Sequence, residues 1–316
     1  MLPLLRSSYC LTLLPDSVTL TQQRRAWPLA RWQRGLAHAA APIAKSEASI
    51  AAHALPDGTL DQDAMAAGPS PDRPTEQGYQ PWHGALQAGL SQLKELPPGS
   101  QLTVVLSNQW LRYKLLPAMP PLQSHSASLA IARTWFIETY GEAAATWHIA
   151  LEPLPQGDHQ FACALDQALL TAIRAMATQA GCQLVSVQPA MMHLYNLLYR
   201  QLGRALCGLV QVEAGRIHLA MMRDGGWLGL SACASQAQDW PQQLLALLQR
   251  ETLLLGDSVL PTGKLFVHLA LPETHAAAWP AFERAVSDMG WKAVPVFPQV
   301  SSVSAMASPV QAWAGS

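Results

Sequence analysis

The chain has 316 residues, half of them apolar and only 13% charged, with a formal net charge of −1. That composition can fill one large or two medium cores, and it gives no electrostatic reason to expect nucleic acid or an anionic membrane surface as a partner. No run of about 18 apolar residues occurs, so no membrane span is expected.

In the N-terminal MLPLLRSSYCLTLLP the apolar stretch is short and no clear small-residue cleavage site follows, so a secretory leader is the less favoured reading. Tyr9–Leu14 and Ser17–Gln23 alternate as two strands about a Pro15-Asp16 turn. Arg24–Arg34, with Trp27, Pro28 and Trp32, reads as a third strand or an irregular edge. Gly35 to Gln80, rich in Ala, Pro, Asp, Gly and Ser, reads as a long loop. Helical spacing returns over Trp82–Leu93, and Leu96-Pro-Pro-Gly-Ser stops it. Leu102–Leu106 is a short continuous apolar run, the pattern of a strand covered on both faces. Trp110–Leu116 sets Leu111, Tyr113 and Leu115 against Arg112 and Lys114, which predicts a half-exposed strand.

Ser126–Tyr140 is a predicted helix with Leu129, Ala132, Trp135, Phe136 and Tyr140 as its stripe and Gly141 behind it. Trp147–Leu151 and His159–Ala164 are predicted strands. Asp166 then suits the N-cap of a helix over Gln167–Ala180, and Gly181 its end. Leu184–Val187 is a strand, and Pro189 opens a helix to about Leu202 from an N1-like position.

The most organised stretch follows, with strands at Leu206–Val212, Arg216–Arg223 and Trp227–Ala232. Glu213-Ala214-Gly215 turns the first pair. Asp224-Gly225-Gly226 is a hairpin signal, because Asp and Gly accept positive φ cheaply. Helices over Ala237–Leu255 and Thr274–Met289 alternate with strands Lys264–Leu269 and Trp291–Val296, and 299–316 reads as a tail.

Three antiparallel strands followed by alternating helix and strand open a ribonuclease-H-like α/β unit, and the element order contains two of them. The first half takes 1–34, 81–109 and 165–204, with 35–80 as its loop. The second takes 205–298. An inserted β-α-β-β subdomain occupies 110–164. The duplication lies in element order alone, with no self-similarity in the residues.

The ordered series VVLSNQWLRYKLLPAMP, then ALDQALLTAIRAMATQAGCQLVSVQPAMMHLYNLL over 164–198, then Leu206–Leu230, resembles the PilM/GspL/MshI-like branch of the actin-like superfamily. No one of these motifs is diagnostic alone. The resemblance implies an α/β actin-like fold, which is a duplicated ribonuclease-H-like fold, with a small inserted subdomain. It also implies a cytoplasmic scaffold, peripheral at the inner membrane, for type IV pilus or type II secretion assembly. Its partners would be inner-membrane pilus or secretion components, with self-association as a further option and neither nucleic acid nor a direct membrane span.

Actin-like ATPases wrap phosphate and Mg²⁺ with two acid-led hairpin turns and hold adenosine on a Gly-Gly turn, so each element can be sought here. The first hairpin has Leu14-Pro15-Asp16-Ser17, where proline removes an N–H donor and no glycine lets a phosphate approach. The second keeps an acid and a glycine, Glu213 and Gly215. Ala270-Leu271-Pro272-Glu273 lacks the Gly-Gly. Glu213 and Gly215 are therefore the candidate cofactor residues, a remnant phosphate/Mg²⁺ turn for ATP, set against an ordinary turn with a solvated Glu, which is the favoured reading. With two of three elements missing, a degenerate, non-catalytic ATPase relative is expected, and a nucleotide-dependent ATPase or kinase is the alternative. Trp110, Arg112 and Tyr113 are the candidate partner-binding residues, because the inserted subdomain is an interaction surface in that family. The cysteines, Cys10, Cys163, Cys182, Cys207 and Cys233, match no zinc spacing and contain no CxxC, so they read as small buried thiols rather than ligands.

Overall fold

The structure, a computed structural model, describes residues 7–23, 80–117, 125–153, 159–236, 238–256, 262–271 and 277–296. The edge read at Arg24–Arg34, nearly all of the 35–80 loop and the 299–316 tail lie outside the described residues.

The first sheet contains β1 (Ser8–Leu13), β2 (Val18–Gln23), β3 (Gln101–Leu106) and β7 (Gln183–Pro189), in the order β2-β1-β3-β7. β1 and β2 form a hairpin, and β3 and β7 join it in parallel. The second sheet contains β8 (Cys207–Glu213), β9 (Gly215–Arg223), β10 (Gly226–Ser235), β11 (Gly263–Ala270) and β12 (Trp291–Val296), in the order β10-β9-β8-β11-β12. Again an antiparallel run comes first and two parallel strands are added to its first member. The β1–β2 turn and the β8–β9 turn are thus equivalent positions of a duplicated unit. Inserted in the first half, between β3 and β7, is a third sheet, β4 (Leu111–Pro117), β6 (His159–Asp166) and β5 (Trp147–Pro153), in the order β4-β6-β5.

The helices are α1 (His83–Leu93), α2 (His125–Tyr140), α3 (Gln167–Gln179), α4 (Ala190–Leu202), α5 (Trp240–Leu254) and α6 (Trp279–Asp288). Local chemistry sets several of their ends. The Asp166 carboxylate accepts the Ala168 N–H at 2.8 Å and caps α3, and Gly181 ends it at φ 66°. Pro189 is the N-cap of α4 rather than its first helical residue. It still pairs with Leu106 in the sheet and keeps an extended ψ of 139°.

Strand alternation decides which core each side chain enters. On the second sheet Val210, Val212, Ile217, Leu219, Met221, Leu265 and Val267 pack outward under α5 and α6 with Trp240, Leu244 and Phe282. Cys207, Leu209, Ala220, Met222, Trp227 and Phe266 face the other way, into a cluster that also holds β1, β3, α1, α3, α4 and part of the inserted sheet. The two halves therefore share one continuous core. The inserted sheet keeps a smaller core of its own, built on Phe136, Trp147, Ile149 and Leu151.

Candidate functional site at the junction of the halves

β8 reads Cys-Gly-Leu-Val-Gln-Val-Glu and is buried throughout. Its inward positions are Cys207, Leu209, Gln211 and Glu213, so the last two place polar groups on the face that meets the first half. In register beside Gln211 stand His218 on β9 and His268 on β11. This makes a polar row one step below the β8–β9 turn. Gln211 Oε1, His218 Nδ1 and His268 Nδ1 have no hydrogen-bond partner. Burial holds His218 well below the usual imidazole range, with Arg216 and Arg112 adding to the effect. Burial also brings His193 to about 4, and burial with His193 nearby brings His268 to about 4. The row is thus uncharged at neutral pH.

Glu213 ends β8 at 1% exposure. The reading of it as a solvated turn residue is therefore corrected. The corner that leaves β3 closes over it: Ser107, Asn108 and Gln109, the start of a 3₁₀ turn that leads into β4. Ser107 Oγ donates to Glu213 Oε2. The Asn108 amide N–H and its Nδ2 donate to Oε1 at 3.1 and 2.9 Å. Gln109 Nε2 donates to the Ala214 carbonyl and lies over Gly215, whose φ of 89° is the left-handed conformation that glycine accepts. Asn108 is itself fixed, because its Oδ1 accepts from the Tyr113 hydroxyl and from the Met191 N–H. The Ser107 N–H reaches Leu13 O at 2.9 Å, which ties the corner to β1. Burial pushes the Glu213 carboxyl up to about 7, against the pull of Ser107, the Asn108 and Gln109 backbone and the Arg216 charge.

Glu213 and Gly215 are thus brought together with residues that sequence reading did not single out, namely Ser107, Asn108, Gln109 and Gln211. The second hairpin turn has its polar groups engaged by protein. The first, Leu14–Ser17, closes on itself through the Leu14 N–H to Ser17 O bond at 2.9 Å, with Asp16 exposed.

The middle of β4, Tyr113 to Leu115, is half-buried as expected, but two of the three candidate partner residues are more deeply covered. Trp110 is 3% and Arg112 7% exposed. Arg112 Nη1 donates to the Gln109 and Leu111 carbonyls, and its guanidinium lies 5.7 Å from the Tyr140 ring. Tyr113 packs between Phe161 and His218, at 5.3 and 5.6 Å between ring centres. All three line the junction of insert and halves rather than an open face. The alternation misled because β4 is covered from the β10 side as well as from its own sheet. Among the described residues no group of three His, Cys, Asp or Glu side chains could hold a metal ion, and no helix is long and apolar enough to cross a membrane. All of the cysteines are free, with Cys182 and Cys233 partly exposed.

Neither a protein-family model nor a curated protein matches the chain. Among solved structures it is similar to a protein of actin-like ATPase fold and unknown function from Bacteroides thetaiotaomicron, 9% identical, with a TM-score of 0.51 over 92% of this chain and 91% of that one. It is also similar to the PilM–PilN type IV pilus biogenesis complex, 15% identical, with a TM-score of 0.47 over 65% of this chain and 74% of the other. A third similar structure is the cytoplasmic domain of EpsL, an inner membrane component of the type II secretion system of Vibrio cholerae, 16% identical, with a TM-score of 0.39 over 59% and 68%. The match to the Bacteroides protein, together with the duplicated sheets, gives the chain an actin-like fold.

Proposed function

We propose that this chain is a non-catalytic scaffold of actin-like fold, cytoplasmic and peripheral at the inner membrane. It would act in a type IV pilus or type II secretion-type assembly by binding inner-membrane components of that machine. The observation that carries the non-catalytic part is the engagement of Glu213. An acid that held Mg²⁺ would need lone pairs open to the ion, and here Oε1 accepts two bonds from Asn108, Oε2 accepts one from Ser107, and the residue is 1% exposed. The glycine-free Leu14-Pro15-Asp16-Ser17 turn supports the same reading at the equivalent position of the first half. The assignment to pilus or secretion assembly rests on the ordered motif series of residues 104–230. A nucleotide-dependent ATPase or kinase is the second reading, favoured by the retained Glu213 and the positive φ of Gly215.

Thermal unfolding with and without millimolar Mg·ATP separates the two. Ligand at about 100 times its dissociation constant adds about 2.7 kcal/mol, a rise of a few degrees in a chain of this size. The scaffold reading predicts no shift. A shift that Glu213→Ala removes would establish the nucleotide reading instead. The partner half is tested by titrating the purified chain with the cytoplasmic segments of the inner-membrane pilus or secretion components encoded by the same organism. Saturable binding to one of them is expected, and binding to none overturns it.

A further inference from the structure

A terminal strand leaves one row of backbone N–H and C=O groups unpaired, and proteins blunt such edges with charge, proline or cover. The terminal strands β4, β5, β7 and β12 each carry a proline, a charged side chain or both. β2 has neither, but the Gln92 side chain of α1 donates to its Val18 carbonyl at 3.1 Å. β10 is the exception. At ten residues it is the longest described strand, it reads GWLGLSACAS with no charge and no proline, and it ends its sheet with no strand beyond it among the described residues. The bulge between Trp227 and Gly229 blunts only its hairpin end.

The hairpin decides which of its backbone groups are free. Asp224 and Gly225 form a two-residue turn at φ 53° and 78°, so Arg223 and Gly226 exchange the closing bonds. Past the bulge, alternation turns the N–H and C=O of Ser231, Cys233 and Ser235 toward β9 and those of Leu230, Ala232 and Ala234 outward. The border of this edge is apolar or neutral. Leu228 is exposed, and so is Leu254, one turn beyond Glu251 on α5. Glu251 lies over Gly229 and is paired with Arg250 at 3.0 Å. Arg216 stands beside Ala234, with Glu213 on its other side. An acidic or a basic segment therefore meets no complementary row of charge here, whereas an equally uncharged strand does not need one.

We infer that β10 is a self-association edge, through which two copies of this chain pair antiparallel about a two-fold axis at Ser231 and join two five-stranded sheets into one. In this register Leu230 exchanges backbone bonds with Ala232 of the second copy. Gly229 faces Cys233 of the second copy, and the exposed Leu228 lies opposite the small Ala234 of the second copy. Each copy brings the same neutral Arg250–Glu251 pair, and the two Arg216 side chains stand at opposite ends of the pairing, so no like charges meet across it. The inference goes beyond the scaffold reading and holds for an ATPase equally.

The test uses the full chain. Sedimentation equilibrium should show a reversible dimer, twice 34.1 kDa, forming as concentration rises to about 0.1 mM. Amide exchange at Leu230, Ala232 and Ala234 should be fast in the dilute chain and should slow with concentration, while Ser231 and Cys233 stay protected throughout. Ala232→Pro removes an outward N–H and leaves the β9 ladder intact, so it should abolish the dimer while β9 keeps its protection. Gly229→Cys has room for its Cβ and sets a thiol opposite Cys233 of the second copy. Oxidised glutathione should then give a covalent dimer, and adding Cys233→Ser should prevent it. A chain that stays monomeric at that concentration overturns the proposal. So does protection of the outward amides at every dilution, which would mean that another segment of the same chain covers the edge. A dimer that survives Ala232→Pro, or one that gives no cross-link, overturns it as well by placing the contact elsewhere.

Discussion

Glu213 carries a stability signature whose sign follows from its environment. Its folded-state value of about 7 lies above the ordinary 4.5, so the folded chain binds this proton more tightly than the unfolded one. The favourable contribution is fully present below about pH 4.5 and is lost as pH rises through 7, a change of about 3 kcal/mol for a shift of that size. His193 and His268 run the other way. Burial holds them at about 4, so acid charges them in the unfolded chain first, and they destabilise the fold as pH falls below the usual imidazole range. The total profile therefore mixes opposing slopes, and the difference between wild type and Glu213→Gln isolates one of them. Urea titrations should find the Gln variant's stability relative to wild type improving by about 3 kcal/mol from pH 4.5 to pH 8. A constant offset would mean that the carboxyl is not buried as described. None of this was legible at position 213 itself, where an acid before Ala-Gly looks like any turn. The corner that buries it starts 106 positions away in the chain. The polar row left a better trace, because Gln211, His218 and His268 each interrupt an otherwise apolar strand at a matching depth.

At the scale of elements, glycines with equal freedom in the sequence have unequal roles in the packing. A Cβ on Gly263, at the start of β11, would lie 2.6 Å from a Trp291 ring carbon and 2.8 Å from the Leu206 carbonyl, neither of which can step aside cheaply. Gly263→Ala should cost about 1–3 kcal/mol by overpacking the β11–β12 edge. Gly84, in the first turn of α1, meets nothing within 4 Å, so Gly84→Ala should gain up to about 0.5–1 kcal/mol through reduced backbone freedom in the unfolded chain. Denaturant midpoints of the two variants should thus move in opposite directions. The elements themselves were largely readable. Continuous apolar runs such as Leu102–Leu106 became strands covered on both faces, and Asp224 and Gly225 take the φ of 53° and 78° that the hairpin needed. Misreadings fall where pairing overrides composition. β10 runs on to Ser235 because Cys233, Ala234 and Ser235 pair with Ile217, Arg216 and Gly215, although that sequence shows no alternation.

Across the whole molecule, three sheets suggest three independent units, but the core argues otherwise. Trp227 rises from the β9–β10 hairpin of the second half and meets Phe161 of the inserted sheet at 5.6 Å and Tyr195 of α4, in the first half, at 5.3 Å between ring centres. It is buried to 2% exposure within the cluster that all three units share. Loss of packing there cannot be confined to one half. Far-UV circular dichroism and tryptophan fluorescence should therefore report a single coincident unfolding transition in the wild type. Trp227→Ala should lower its midpoint by about 3–5 kcal/mol of stability, since a cavity opens where three units meet. The same variant should reduce hydrogen-exchange protection in β3, β6 and β8 together. Loss restricted to β8–β10, or two separated transitions in the wild type, would mean that the halves are stable apart. In that case the apolar contacts around Trp227 would add little to the fold, and the bonds of the Ser107–Gln109 corner to Glu213 and Ala214 would be left as the stronger tie between the halves.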